Sequence, residues 1–382
     1  MKRDKLTFLI AELILIVLAA FFIHKIFQED VAQKRVAVIL QNSGDTRWEG
    51  VINGLKQSAK TNNLHLIICN TDDIVSAQDE RELIEEQLEN DVDAFILCPA
   101  PGTDTKEMLD WLGEQKKPFV LLTEDVYTGE QPGASGYATV KPDNYQIGYT
   151  LGTQLITQDE DGLKGKRIGV IAGRSKTEAS VNRIQGLKDA LEKQDCEIAW
   201  EYNEESDTDI CAVVDAQESV DYMVVMDTQA LDTLGEHAEN GVYKDAKIFG
   251  VGTSMKSIAL LDAGQVQCLV IPDGYGIGYE SVEEIEKELT RTFYTLKSHE
   301  KEVKVIYKED LFSDEIERFL YSYESKRRKE EYDSMVVRVG IFDFTDRLRK
   351  AGHKSRSYVA CWCRDIYTGR PVYQCNDRYN KK

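Results

Sequence analysis

The sequence predicts an α/β fold of two lobes, each built on a parallel sheet, with a hinge between them. Three observations lead there. Short apolar, β-branched runs recur from Val36 to Tyr307, amphipathic helical stretches alternate with them, and a proline-bearing extended segment at Lys141-Pro142 separates two such series.

The stretch 36–72 sets the pattern. Val36–Leu40 is wholly apolar, as a strand buried on both faces requires. A polar loop, Gln41–Arg47, follows it. Val51, Ile52, Leu55 and Ala59 then recur at helical spacing before a second apolar run at Leu64–Cys69. Strand, helix, strand is one βαβ unit, whose crossover is right-handed and whose first loop opens at the carboxyl edge of the sheet, where open α/β folds bind ligands. That loop holds neither G-x-G-x-x-G nor G-x-x-x-x-G-K-[ST], so dinucleotide and P-loop readings fail.

The alternation continues with helix Ala77–Glu89, strand Ala94–Cys98, helix Asp104–Gln115 and strands Phe119–Leu122 and Gly136–Val140. The second series comprises helix Asn144–Thr157, strand Arg167–Ala172 and helix Lys176–Lys193. Strands Tyr222–Met226 and Lys247–Val251 flank a helix near Leu231–Glu239. Helix Met255–Asp262, strand Gln267–Ile271, an acidic amphipathic helix Ile277–Leu296 and a last strand Val303–Tyr307 complete it. Each series reads as a Rossmann-like lobe, with a cleft between the two.

Ahead of this body, Leu6–Ile23 is an apolar run with one internal charge, Glu12, preceded by Lys2, Arg3 and Lys5. The run is long enough to span a bilayer, and the leading basic residues favour a cytoplasmic N-terminus. A cleaved signal peptide is the alternative, but no A-x-A site follows the run. The expected organisation is a cytoplasmic N-terminus, transmembrane anchor and stalk over 1–34, a two-lobed body over 35–324, and a tail over 325–382. Residues 35–142 and 273–297 are assigned to the first lobe, and 143–272 and 298–312 to the second.

Charge separates the tail from the body. The chain carries 47 Lys+Arg against 67 Asp+Glu, yet residues 325–382 hold 15 basic and 7 acidic groups, a net +8 beside −28 for the rest. A body so acidic is no general nucleic-acid binder, because phosphate contacts need Lys and Arg. Cys69, Cys98 and Cys268 fall in apolar runs and read as small core residues, while Cys361, Cys363 and Cys375 crowd the tail without zinc spacing. The five histidines are scattered, and G-x-S-x-G and H-E-x-x-H are absent from the sequence. No catalytic set, metal centre or cofactor is expected, and no nucleic-acid partner.

Several local motifs, in this order, carry a resemblance. Trp48-Glu49-Gly50-Val51-Ile52-Asn53-Gly54 opens the first helix. Asp93–Pro99 forms a strand ending in proline, and Asp143-Asn144 enters the second lobe. Asn182-Arg183-Ile184-Gln185-Gly186-Leu187 lies on a second-lobe helix, and Ile248-Phe249-Gly250-Val251-Gly252 on a strand. Over roughly 36–312 the chain resembles the type I periplasmic binding proteins, in particular the sugar-binding members of ABC transport systems. The resemblance implies a hinged two-lobed protein, not an enzyme, that closes on a small sugar-like solute. It implies a membrane partner as well: a permease for uptake or, alternatively, a sensor histidine kinase to which an anchored receptor presents its ligand state. The binding domain would lie outside the cytoplasm.

Sugar sites combine planar bidentate groups with an aromatic face over the ring's C–H surface. The first-lobe loop supplies Asp45, Arg47 and Trp48 for these roles. The resemblance adds Glu124 and Asp125, Asn144 at the crossing, and Asp227 from the second lobe. Trp48 reads equally as a packing residue at its helix start, Glu124 and Asp125 as solvated loop acids, and Asn144 as a helix N-cap. Arg183 reads as a structural contact. Val181 and Gly252-Thr253 stand where the family's sugar binders place a ligand arginine and aspartate, a departure that bears on ligand chemistry and not on fold.

Overall fold

Val36, Val38 and Leu40 face one side of the first strand and Ala37 and Ile39 the other, and all five are fully buried. A strand covered on both faces has no use for polar alternation, which explains the apolar run. The computed structural model describes residues 33–129, 135–159, 162–204, 208–238, 243, 245–316 and 319–320, with residues 15 and 18. By internal contacts the chain divides after Tyr323, and the tail beyond it lies outside the described residues. So does the apolar run 6–23 apart from Leu15 and Leu18. Among the described residues no helix is long and apolar enough to cross a membrane.

The first lobe runs β1 (Arg35–Ile39), α1 (Glu49–Thr61), β2 (His65–Ile68), α2 (Ala77–Glu89), β3 (Ala94–Leu97), α3 (Thr105–Glu114), β4 (Phe119–Leu122) and β5 (Thr139–Pro142). The second runs α4 (Asn144–Gln158), β6 (Arg167–Arg174), α5 (Glu178–Leu191), β7 (Glu197–Glu204), α6 (Ile210–Asp215), β8 (Tyr222–Val225), α7 (Thr228–His237), β9 (Lys247–Val251), α8 (Met255–Ala263) and β10 (Cys268–Pro272). The chain then returns to the first lobe as α9 (Gly274–Thr290) and β11 (His299–Lys301), and ends in the second as β12 (Val303–Ile306). The sheet orders are β11-β5-β4-β3-β1-β2 and β12-β10-β9-β8-β6-β7. All pairings are parallel except β10 with β12, so the two lobes repeat one topology up to their last edge strand.

The two main crossings share a sequence. Pro142-Asp-Asn-Tyr-Gln-Ile-Gly-Tyr149 and Pro272-Asp-Gly-Tyr-Gly-Ile-Gly-Tyr279 both read P-D-x-Y-x-I-G-Y. In each, the aspartate caps the new helix: Asp143 accepts from the Gln146 N–H and Asp273 from the Gly276 N–H. Each glycine lets the new helix press against its neighbour's backbone. A Cβ at Gly278 would lie 2.9 Å from the Leu55 nitrogen, and one at Gly148 2.8 Å from the Arg183 Cα. A third crossing at Glu302 accepts a hydrogen bond of 3.0 Å from the Asp273 N–H and so ties two of the crossings together.

Three expectations change. The strand β7 and the short helix α6 are additional to the elements expected. β7 is an edge strand in which Ile198, Trp200 and Tyr202 alternate with Glu197, Ala199, Glu201 and Asn203, and it is placed by Trp200 lying over Gly169 of β6. The long helix ends at Thr290, since Arg291 turns to extended backbone (φ −105°, ψ 125°) and the chain leaves the helical path there. Residues 299–301 pair with β5, so the final crossing falls at Glu302 and not at 298.

Candidate functional site

The carboxyl ends of the two sheets face each other across a cleft with a cavity of about 190 Å³. Its first-lobe wall begins where β1 ends. The Gln41 side-chain amide donates to the Pro99 carbonyl (2.9 Å), fixing the loop from beneath. Asp45 then accepts from the Arg47 N–H (2.8 Å) and starts a single 3-10 turn, Thr46–Trp48. That turn aims Arg47 across the cleft, 3.6 Å from the Asp227 carboxylate at the end of β8. Burial works against the Arg47 charge, and Asp227 and Asp45 outweigh it, holding the guanidinium above its usual range.

At the end of β4, Thr123 takes a left-handed φ of 67° and turns Glu124 inward, where it is 8% exposed. Glu124 accepts from the Ala179 N–H (3.1 Å) at the start of α5, where the helix dipole also favours an anion. Burial, reinforced by the neighbouring Glu178 charge, nevertheless pushes its carboxyl up to about 7. Glu178, nearly buried, is held from the first lobe and the crossing by Lys141 (2.6 Å), the Asp125 N–H (3.2 Å) and Asn144 (3.0 Å). Asn144 accepts twice from Arg183 (3.0 and 2.8 Å), and Arg183 donates also to the Met226 carbonyl (2.7 Å). Burial lowers the Arg183 pKa, with Glu124, Asp227 and Glu178 opposing.

At another point Arg174, the last residue of β6, reaches back to the first lobe. It grips Asp73 with two hydrogen bonds (2.8 and 2.6 Å) and donates to Gln41 (3.1 Å). The Gly102 N–H donates to the Lys176 carbonyl nearby (2.9 Å). The lobes therefore meet through polar groups of opposite character.

Of the seven residues singled out from sequence, Arg47, Trp48, Glu124 and Asp227 line this one cleft. Asp45 lies behind Arg47 and is occupied in capping the turn. Asp125 faces its own loop, accepting from the Val126 N–H (2.7 Å) and the Ser135 N–H (3.0 Å). Asn144, 1% exposed, sits beneath the cleft as a bridge, while the N-cap role belongs to Asp143. Trp48 donates its indole N–H to the Gln41 carbonyl (2.8 Å), and the Arg47 guanidinium lies 5.0 Å from its ring centre, so much of its surface is already used.

Sequence reasoning passed over Arg174, Phe319 and Leu320, which also line the cleft; Arg183, read as a structural contact, lines it as well while bonding Asn144 and Met226. Arg174 could have been found from its place directly after an apolar strand, where ligands of parallel sheets lie. Phe319 could not, since nothing near it in sequence marks it as part of a site.

Two α/β lobes joined by three crossings, with polar groups converging from both, form a cleft of the kind that takes a small solute. A family profile described as periplasmic binding protein domain matches residues 36–290, and the chain belongs to that family. Among solved structures, a D-fucose-bound ABC transporter solute-binding protein from Agrobacterium vitis is similar at 17% identity and a TM-score of 0.66, covering 75% of this chain and 100% of its own. GanP, a glucose-galactose binding protein from Geobacillus stearothermophilus, is similar at 18% identity and a TM-score of 0.63, covering 74% and 99%. XylFII, in its complex with LytSN, is similar at 14% identity and a TM-score of 0.60, covering 73% and 99%. These likenesses establish the fold. No curated protein sequence matched the chain.

Proposed function

We propose that this chain is an extracytoplasmic receptor for a sugar or sugar-like small molecule, closing by hinge motion on its ligand for ABC-type uptake. The observation that carries the reading is the meeting of both lobes at one cleft. Arg47 reaches Asp227 there, and Glu124 reaches the first turn of α5. A hydroxylated ligand entering between these pairs accepts from the guanidinium and donates to the carboxylates, replacing a long ion pair with shorter hydrogen bonds. Only a ligand that binds the closed arrangement better than the open one can drive closure, and a site divided between lobes has that property. Similar folds described as glucose-galactose binding or holding D-arabinose or D-fucose support the ligand class.

A second reading has its own support. The apolar run 6–23 would hold the body at the membrane on a stalk of about ten residues, roughly 35 Å at full extension. A similar fold is also known in complex with another protein. An anchored receptor of this kind presents its ligand state to a membrane partner such as a sensor histidine kinase.

The test is a thermal-shift panel containing D-fucose, D-galactose, D-glucose, D-arabinose and D-tagatose, followed by calorimetry on the best hit. Asp227→Ala removes a hydrogen-bonded carboxylate from a closed site and should weaken binding by about 1–3 kcal/mol, some 5- to 150-fold. A hit that binds this variant as tightly as the wild type moves the site elsewhere. Silence across the panel refutes the sugar class.

A further inference from the structure

Resting on that binding reading, we infer that the C-terminal arm, residues 311–316 and 319–320, brings Phe319 and Leu320 into one wall of the ligand cleft. Phe319 and Leu320 make the adjacent end of the site apolar, selecting a ligand with a methyl or C–H-rich end over one with a hydroxyl there. The arm lies beyond the residues that define family membership, which end at 290.

Its course follows from the strand directions. β12 runs antiparallel to β10, so the chain leaves the hinge and reaches the far end of the second sheet at Ile306. Lys308–Asp310 forms a 3-10 turn, and the arm comes back along the sheet face. Leu311 and Ile316 anchor it in the same buried cluster as Ile271 and Ile306, at 8% and 7% exposure. Phe319 and Leu320 pack against that cluster and reach the cleft. The Lys304 ammonium lies over the Phe319 ring, 5.1 Å from its centre, and is itself paired with Glu315 (2.5 Å), which braces the ring.

Strand order then sets a gradient along the cleft. Arg174 and Asp227 follow β6 and β8, which are neighbours. Thr253 follows β9, and Ile271-Pro272 ends β10 next to the arm. Adjacent strands lie about 4.8 Å apart, so β8 and β10 are separated by roughly 10 Å, close to the length of one sugar ring with its substituents. Arg47, Glu124, Asp227 and Arg183 supply the charged lining, and Ile271, Pro272, Phe319 and Leu320 an apolar group beside Asp273, which is engaged in capping α9 through the Gly276 N–H (2.7 Å). A hydroxyl pushed against the apolar group loses its water and finds no side-chain partner among its four residues. With Trp48 covered by Arg47, Tyr275 and Phe319 are the aromatics left on the described cleft lining, and Phe319 is the one carried by the arm.

D-Fucose and D-galactose differ at one position, a methyl in place of a hydroxymethyl group, and calorimetry with both on the full chain tests the inference. The wild type should favour D-fucose about tenfold or more. Phe319→Ala should weaken D-fucose binding about 3- to 10-fold and bring the ratio toward one. Phe319→Tyr keeps the ring and the fold but adds a hydroxyl, and it should narrow the ratio as well. Phe312→Ala, on the same arm but 84% exposed, should change neither affinity. Equal or reversed sugar preference in the wild type, or ratios unmoved in both Phe319 variants, overturns the apolar end. If the wild type binds neither sugar nor any of the panel, the sugar reading itself fails, a result visible before any variant is made.

Discussion

Gly148→Ala tests how the crossing helix and the cleft depend on each other. α4 and α5 approach so closely that a Cβ at Gly148 would overlap the Arg183 carbonyl oxygen, 2.6 Å from its carbonyl carbon and 2.8 Å from its Cα. These are backbone atoms, and no side-chain rotation relieves them. Carbon atoms in contact need about 3.5–4.0 Å, so the helices must part by roughly 1 Å. Overpacking of this kind costs about 1–3 kcal/mol, and backbone relief puts the cost at the upper end. Alanine returns up to ~1 kcal/mol of helix propensity, leaving a net loss of about 2 kcal/mol. The same shift displaces Arg183, whose hydrogen bonds to Asn144 and Met226 hold the cleft floor, so ligand affinity should fall with stability. Gly113→Ala is the internal control. It lies on α3 with nothing within 4 Å of an added Cβ and should stabilise by about 0.5–1 kcal/mol. Urea unfolding at constant pH measures both. If Gly148→Ala is neutral or stabilising like Gly113→Ala, the close approach of α4 and α5 is not what the glycine serves.

Two further outcomes follow from groups away from the crossing. Arg174→Ala removes the paired hydrogen bonds to Asp73, a half-exposed interlobe contact worth about 1 kcal/mol, so the closed-to-open ratio of the ligand-free protein should fall about fivefold. Small-angle scattering should then show a larger radius of gyration, which 1 M salt reproduces in the wild type; identical profiles would exclude the latch. Glu80 is fully buried, one oxygen accepting from the Ala100 N–H and the other without a partner, and burial raises its carboxyl to about 8. A folded pKa above the unfolded value gives stability that is complete below about pH 4.5 and is lost as pH rises through 8. Glu80→Gln should therefore raise stability at pH 8, change it little at pH 5, and leave the smaller slope that Glu124 contributes below pH 7. A variant equally destabilised at both pH values would contradict this.

The sequence by itself determined most of the fold, because strands buried on both faces and helices buried on one leave period and composition that local reading detects. β1, β3, β8 and β9 are legible for that reason. β7 shows only a short alternation of Ile198, Trp200 and Tyr202, and its place at the sheet edge is owed to Trp200 over Gly169, 31 residues apart in sequence. The repeated P-D-x-Y-x-I-G-Y was present to be read, but its meaning, two helices pressed onto their neighbours at matching crossings, came from three dimensions. The candidate site divides in the same way. Arg47, Trp48, Glu124 and Asp227 sit where loops leave apolar strands, a position that sequence reveals. Which of them meet was decided by tertiary structure, because the Arg47–Asp227 and Arg174–Asp73 pairs join residues from different lobes. Asp125 and Asn144 show the limit from the other side: their residue types suit a ligand, yet the packed chain gives them backbone and side-chain partners of its own. Phe319 stood beyond any local signal, since only the antiparallel return of β12 carries the chain round to the cleft.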